Sequence, residues 1–240
     1  MPSVSVCFPA YNEQETIESV LTDAHELLST SGLDYEILVC DDGSLDNTAR
    51  IAEEIAARLP RIRVLRNKKN LGIRATFERL YREASRELVF LNSTDRQWET
   101  SILFEILPLT GEFDIVIASR RDKHYGLARS FTSWVSNLIP PLLFGVKTYD
   151  AGAVKLVRRE VIERFTLVSR SPFTEAERLI RAERAGYRIA SHPVRVSERG
   201  SGKARGAKLS SVIEASKDVV RVWLALRRET RAARVGAESR

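Results

Sequence analysis

The amino-acid sequence predicts an α/β fold in one domain, with a mostly parallel central sheet flanked by helices. Three observations carry that expectation. Short β-type apolar runs alternate with helical patterns over residues 4–91, the order that strand–helix–strand connections require. The chain has 240 residues, 43% of them hydrophobic, enough to bury a substantial core. Neither a repeat nor a low-complexity tract interrupts it.

Residues 4–8 are the first expected strand. A helix follows over 13–29, with Ile17, Val20, Leu21, Ala24, Leu27 and Leu28 on one face. Residues 35–40 form the second strand, and Asp46 caps a helix that runs to residue 59. A strand at 61–66, a helix at 71–84 and a strand at 87–91 complete this half. The second half is less regular: strands are expected at 113–118, 153–157 and 187–196, and helices at 127–138 and 173–185. Gly200, Gly202 and Gly206 among Arg199, Lys203 and Arg205 make 197–207 a mobile basic loop. A helix over 209–228 closes the fold, and 229–240 is expected to be a flexible tail.

The net charge of +6 comes from 38 Lys and Arg against 32 Asp and Glu. Residues 195–240 carry twelve basic against five acidic side chains, whereas residues 1–194 carry 26 against 27. The excess is local, so it is no general argument for nucleic acid, and no nucleic-acid partner is expected. Cys7 and Cys40 lie in apolar runs and read as buried free thiols, which excludes a disulfide framework or a thiolate metal site. His25, His124 and His192 have no ligand spacing. The first residues lack the basic and apolar runs of a secretory signal, so residence in the cytoplasm is expected. The longest uncharged stretch, 130–146, is too short and too polar to span a bilayer.

In an open parallel sheet, ligands bind beyond the C-terminal ends of the strands. Successive expected strands are followed there by Pro9-Ala10-Tyr11-Asn12-Glu13, Asp41-Asp42-Gly43-Ser44-Leu45-Asp46, Asn70-Leu71-Gly72 and Asn92-Ser93-Thr94-Asp95-Arg96-Gln97. Any one of these reads as a turn or a helix entry; together they gather carboxylates at one rim. Further along come Arg129, Ser133 and Asn137 at helical spacing and the run 182–194. With these motifs the chain resembles the family 2 glycosyltransferases of GT-A fold, in the branch of dolichol-phosphate mannose synthases and bacterial polyprenyl-phosphate glycosyltransferases. The resemblance covers roughly residues 3–208.

The resemblance implies a Rossmann-like nucleotide-sugar half at 1–97, an acceptor-side half at 98–208 and an appended amphipathic helix at 209–228. It implies nucleotide binding by Pro9, Ala10, Tyr11, Glu13, Asp41, Asp42 and Gly43, with Asp42 either ordering the turn or aiding the same pocket and the glycine letting backbone approach the ligand. It further implies a divalent cation, magnesium or manganese, at an Asp-x-Asp motif. Here that motif becomes Ser93-Thr94-Asp95, which leaves Asp95 as the metal ligand and weakens the expectation. Gln97 falls at a family position near the sugar or phosphate. Arg199, Lys203 and Arg205 match a loop that closes over phosphates, and Arg120, Arg129 and Ser133 lie on the acceptor side.

The implied reaction moves a hexose from a GDP- or UDP-linked donor to a polyprenyl or dolichyl phosphate by inverting displacement. A phosphate acceptor is already ionised, whereas a saccharide or natural-product hydroxyl, the alternative acceptor, needs a base; Glu177, or its neighbour Glu175, is the candidate. A non-catalytic nucleotide-sugar-binding homologue is a further alternative, motivated by Ser93. Self-association is compatible with the sequence. The last helix carries Val212, Val219, Trp223 and Leu226 near one face and Lys217, Arg221, Arg227 and Arg228 elsewhere. It either docks on the core or lies on anionic lipid, which would make the protein peripheral at the inner face of the membrane.

Overall fold

The computed structural model describes residues 2–120, 140–147, 149–196 and 209–238. They divide between two compact units: Met1–Lys123 with Gly152–Arg164 and Tyr187–Ala204, and His124–Ala151 with Phe165–Gly186 and Arg205–Arg240. The expected helix at 127–138 and loop at 197–207 lie outside the described residues.

The first unit is built on a seven-stranded sheet. In chain order its strands are β1 (Val4–Ala10), β2 (Tyr35–Asp41), β3 (Ile62–Arg66), β4 (Leu88–Leu91), β5 (Ile115–Arg120), β6 (Lys155–Arg158) and β7 (Ile189–Val194). They lie in the spatial order β3-β2-β1-β4-β6-β5-β7. Every pairing is parallel except those of β6, which runs antiparallel to both β4 and β5. β1 and β2 are near-continuous apolar runs because helices cover both faces of a parallel sheet. β3, at the edge, turns Arg63 and Arg66 to solvent, which blunts it against further pairing.

The helices of this unit include α1 (Ile17–Ser29), α2 (Thr48–Arg58) and α3 (Ile73–Glu83). Burial of Ile17, Leu21, Ala24 and Leu28 follows the expected stripe of α1, but the helix starts at Ile17 rather than residue 13. The cause is Asn12, whose φ of 55° turns the chain, so the Glu13 carbonyl first accepts from the Thr16 and Ile17 amides. Asp46 accepts from the amide and hydroxyl of Thr48, satisfying a donor at the start of α2 as expected. Two short helices escaped the sequence reading: α4 (Ile102–Ile106), continued by a 3-10 turn, and α5 (Arg159–Arg164), which follows β6 without a loop. Cys7 and Cys40 are buried and free, and burial pushes the Cys40 thiol up to about 11.

The second unit contains α6 (Thr174–Arg184) and α7 (Leu209–Glu238). Ile180 of α6 and Val222 and Leu226 of α7 form a core with Phe144 and Val146, and Val168, Phe173, Val219 and Trp223 pack against it. Three of the four apolar residues expected on one helix face thus cover protein, so that face is not available to lipid; the fourth, Val212, has no described side chain. Buried Asp218 accepts from the Arg170 and Ser171 amides, at 2.8 and 2.7 Å, and from the Arg221 guanidinium. Arg181 of α6 reaches Glu229 of α7 at 3.0 Å. These contacts carry the helix beyond residue 228, and it continues to Glu238 where a flexible tail was expected.

Candidate active site

Because β1, β2, β4 and β5 are mutually parallel, their C-terminal ends share one edge of the sheet, where hydrogen bonds join the segments after β1, β2 and β4 and the last residue of β5. The first two are locked by side chains. The Asn12 amide donates to Ser44 Oγ (2.9 Å), the Leu45 amide to Asn12 Oδ1 (2.8 Å) and the Glu13 amide to Thr48 Oγ1 (2.7 Å). Ala10 is buried and its carbonyl accepts from the Asp42 amide. Thr94, in the loop after β4, donates to the Pro9 carbonyl at 3.1 Å. Pro9, Tyr11 and Glu13 are half-buried on this rim.

The paired acids after β2 have different surroundings. Buried Asp41 meets the Ser44 amide at 3.3 Å through each oxygen. Asp42 turns away: its carboxylate accepts from Asn67 Nδ2 (2.8 Å) and from the amides of Leu71 (2.9 Å) and Gly72 (2.8 Å). Arg79 in turn donates to Asn67 Oδ1 at 2.6 Å. Three of the roughly four acceptor positions of a carboxylate are thereby spent within the chain. Asp42 therefore positions the 67–72 loop, an ordering role of the kind that was one of its two expected readings. Asn67 and Arg79 complete this support and were not singled out from the sequence; an Asn just after an edge strand was the available signal.

Gly43 packs against the same loop. Its φ is +70°, and a Cβ there would lie 2.5 Å from the carbonyl carbon of Lys69 and 2.7 Å from the Asn70 nitrogen. This close approach of backbone to backbone requires glycine at position 43. Gly43→Ala is expected to cost about 1–3 kcal/mol or more from strain at this φ and to displace the 67–72 loop. Chemical denaturation reads the first effect and nucleoside diphosphate titration the second; unchanged midpoints would remove the constraint.

After β4 the chain makes a tight loop. The Ser93 amide donates to Asn92 Oδ1 at 2.8 Å, and Asp95 Oδ1 accepts from Ser93 Oγ at 2.6 Å and from the Gln97 amide at 3.2 Å. Arg96 adopts φ 57° and is held by Ser19 Oγ at 2.9 Å and Asp23 at 3.4 Å. Among the described residues, the non-glycine positive φ values fall at Asn12 and Arg96, both on this edge. Backbone strain of that kind is characteristic of sites that hold a fixed geometry. Gln97 is joined to the end of β5 by Arg120, whose guanidinium is 3.4 Å from Gln97 Oε1 and 5.4 Å from the centre of the Trp98 ring. Asp95 and Gln97, from one motif, therefore share a corner of the edge with Arg120, expected on the acceptor side.

A model of the family described as "Glycosyl transferase family 2" matches residues 5–166. The chain belongs to that family. Among its relatives, glycosyltransferase AglD of Haloferax volcanii is 28% identical over 92% of this chain. The dolichol-phosphate mannosyltransferase of Pyrococcus furiosus is 30% identical over 67%. The chain spans only 37% and 47% of the lengths of these two proteins. The undecaprenyl-phosphate mannosyltransferase of Micrococcus luteus is 27% identical over 97% of this chain and 99% of its own length. Mycobacterium tuberculosis glucosyl-3-phosphoglycerate synthase, solved with Mn2+, UDP-glucose and phosphoglyceric acid, superposes with a TM-score of 0.67 at 24% identity, covering 93% of this chain and 79% of its own. The fold is therefore GT-A.

Within family 2, the position given to the acid–base candidate has another use in this chain. Glu177, at the start of α6, is fully buried. One oxygen accepts from the Val168 amide (3.0 Å) and Arg181 Nε (2.7 Å); the other accepts from the Ser169 amide (2.8 Å) and hydroxyl (2.6 Å). A carboxylate filled in this way fastens α6 to the segment before it and is not placed to take a proton from substrate, which corrects its catalytic reading. Glu175 is also buried, with Arg178 Nε 3.6 Å away. Arg199, Lys203, Arg205, Arg129 and Ser133 lie outside the described residues. β7, which leads to the basic loop, is parallel to β5 and ends on the edge that carries Arg120.

The donor set at this edge fits a single-carboxylate cation site. Among the described residues, no group of three or more His, Cys, Asp or Glu side chains converges as a metal cage. Asp95 with the Ser93 hydroxyl beside it suits magnesium, which is commonly held by one or two carboxylates, substrate phosphates and water.

Proposed function

We propose that this protein transfers a hexose from a nucleotide sugar to a polyprenyl phosphate at a membrane surface, on its cytoplasmic face. The observation that carries this reading is the joining of Asp41, Asp95, Gln97 and Arg120 to one sheet edge by bonded loops in a family 2 chain. Similarity along nearly the whole length of an undecaprenyl-phosphate mannosyltransferase supports the acceptor class. The filled carboxylate of Glu177 favours it over a hydroxyl acceptor, because an ionised phosphate oxygen needs no base.

In this reading Asp41 accepts from the base or ribose of the donor, in a pocket whose walls Tyr11 and Glu13 help to form. Asp95 would hold a magnesium or manganese ion, whose chemistry when bound is to neutralise the diphosphate. The acceptor phosphate oxygen forms the new bond to the anomeric carbon as the bond to the nucleoside diphosphate breaks, and the electron pair leaves with the diphosphate. Gln97 and Arg120 present an amide and a guanidinium to this reacting corner, where fixed donors aimed at developing charge lower the barrier.

Incubation with GDP- and UDP-sugars, with and without polyprenyl phosphate and divalent cation, followed by mass analysis, tests the reading. A hexosyl polyprenyl phosphate is the expected product. Transfer confined to hydroxyl acceptors, or donor binding with neither transfer nor hydrolysis, would overturn it. Arg120→Ala is expected to lower kcat/KM by about 10–100-fold through loss of a charged donor. Unchanged kinetics would remove Arg120 from the corner.

A further inference from the structure

We propose that the solvent face of α7 is a docking surface for an anionic lipid bilayer. This rests on the lipid-phosphate reading and names the surface that would bring the protein to its acceptor. One side of α7 is already covered, since Val219, Val222, Trp223 and Leu226 pack in the second unit and Asp218 is buried. The helix leaves three large apolar side chains outside: Ile213, Val220 and Leu224, 49%, 56% and 42% exposed. Their spacing of seven and four residues sets them on one stripe, about 16 Å long at a rise of about 1.5 Å per residue.

Basic side chains share and prolong that stripe. Lys217 lies between Ile213 and Val220, and exposed Arg227, Arg228 and Arg231 follow Leu224 at helical spacing. The acids nearby are engaged: Glu214 is 3.4 Å from Lys217 and 3.5 Å from Arg221, and Glu229 is bound to Arg181. The Arg227 guanidinium lies over the Trp223 ring, its central carbon 3.8 Å from the ring centre, a cation–π contact that fixes this charge beside the stripe. An apolar stripe flanked by cations matches an interface whose acyl boundary accepts the first and whose headgroups attract the second.

Charge decides between lipid and a second copy of the chain. Pairing this face with itself would bring the same cations together over a narrow strip, far below the roughly 1,600 Å2 of a standard interface. No helix among the described residues is long and apolar enough to cross a membrane.

Flotation of the full chain with vesicles tests the proposal. Binding is expected to vesicles of phosphatidylcholine with phosphatidylglycerol, to weaken with salt, and to be slight on phosphatidylcholine alone. The double variant Val220→Glu, Leu224→Glu is expected to lose about tenfold or more in partitioning with an unchanged unfolding midpoint, because both positions are exposed. Wild-type protein that stays off anionic vesicles, or a variant that floats equally well, would overturn it. So would a dimer in vesicle-free solution that the same variant dissolves, which would assign the face to a second copy. Transfer to detergent-dispersed polyprenyl phosphate is measured in parallel and is expected to be equal in both proteins. Its absence from both would overturn the acceptor reading, while flotation would still report on the surface.

Discussion

Asp95→Ala is expected to abolish transfer, with a loss of about a thousandfold or more in kcat and no remaining response to magnesium or manganese. The size of the effect follows from there being one carboxylate at this position. Where two acids share a cation, loss of one leaves the other; here Ser93 supplies only a hydroxyl, and it donates to Asp95. Asp95→Asn keeps the shape and an acceptor for Ser93 and for the Gln97 amide, so it separates charge from loop geometry. It is expected to be nearly as inactive as the alanine variant, with an unchanged unfolding midpoint. Ser93→Asp, in the opposite direction, should lower the cation concentration needed for half-maximal rate, because it restores a second charge. Wild-type turnover by Asp95→Ala would take this residue out of the site.

The second large effect is on stability. Glu177→Ala is expected to cost about 3–5 kcal/mol, because it strips a buried ion pair and leaves the Val168 and Ser169 donors without their acceptor. Burial pushes the Arg181 guanidinium down, but Glu177 and Glu229 more than offset this and hold it charged. Without Glu177 that charge keeps Glu229 as its carboxylate partner, and Glu229 is 56% exposed. Denaturant unfolding measures the loss. Turnover per folded molecule, and the acid limb of its pH profile, should stay close to wild type in Glu177→Gln. Disappearance of that limb with stability intact would return Glu177 to a catalytic role.

The strand ends were legible because a strand covered on both faces has to be an apolar run, and the residues just past such a run fall at a predictable edge. That reasoning placed the motifs after β1, β2 and β4; Arg120, expected only through the family resemblance, ends β5 on the same edge. The sequence does not carry strand direction: β6 reads like any other short apolar segment, and only its partners reveal that it is antiparallel. Nor does it carry the aim of a side chain. Asp41 and Asp42 are neighbours of one type, yet one faces Ser44 and the other the 67–72 loop. Glu177 at a helix start looks the same whether it faces substrate or the Ser169 amide. Its spacing of four from Arg181 was the visible hint of a local ion pair.

The reversed strand also has a consequence for how the chain assembles. β6 sits between β4 and β5, although both precede it on the chain. Until residue 158 has left the ribosome, β4 keeps an unpaired edge and β5 has neither of its eventual neighbours, since β7 comes later still. β1 to β4 can close on contacts among themselves, whereas β5 waits on two segments yet to be made. The nascent protein thus carries a ready-made sheet edge while residues 92–158 are made, the kind of surface that invites mispairing between chains.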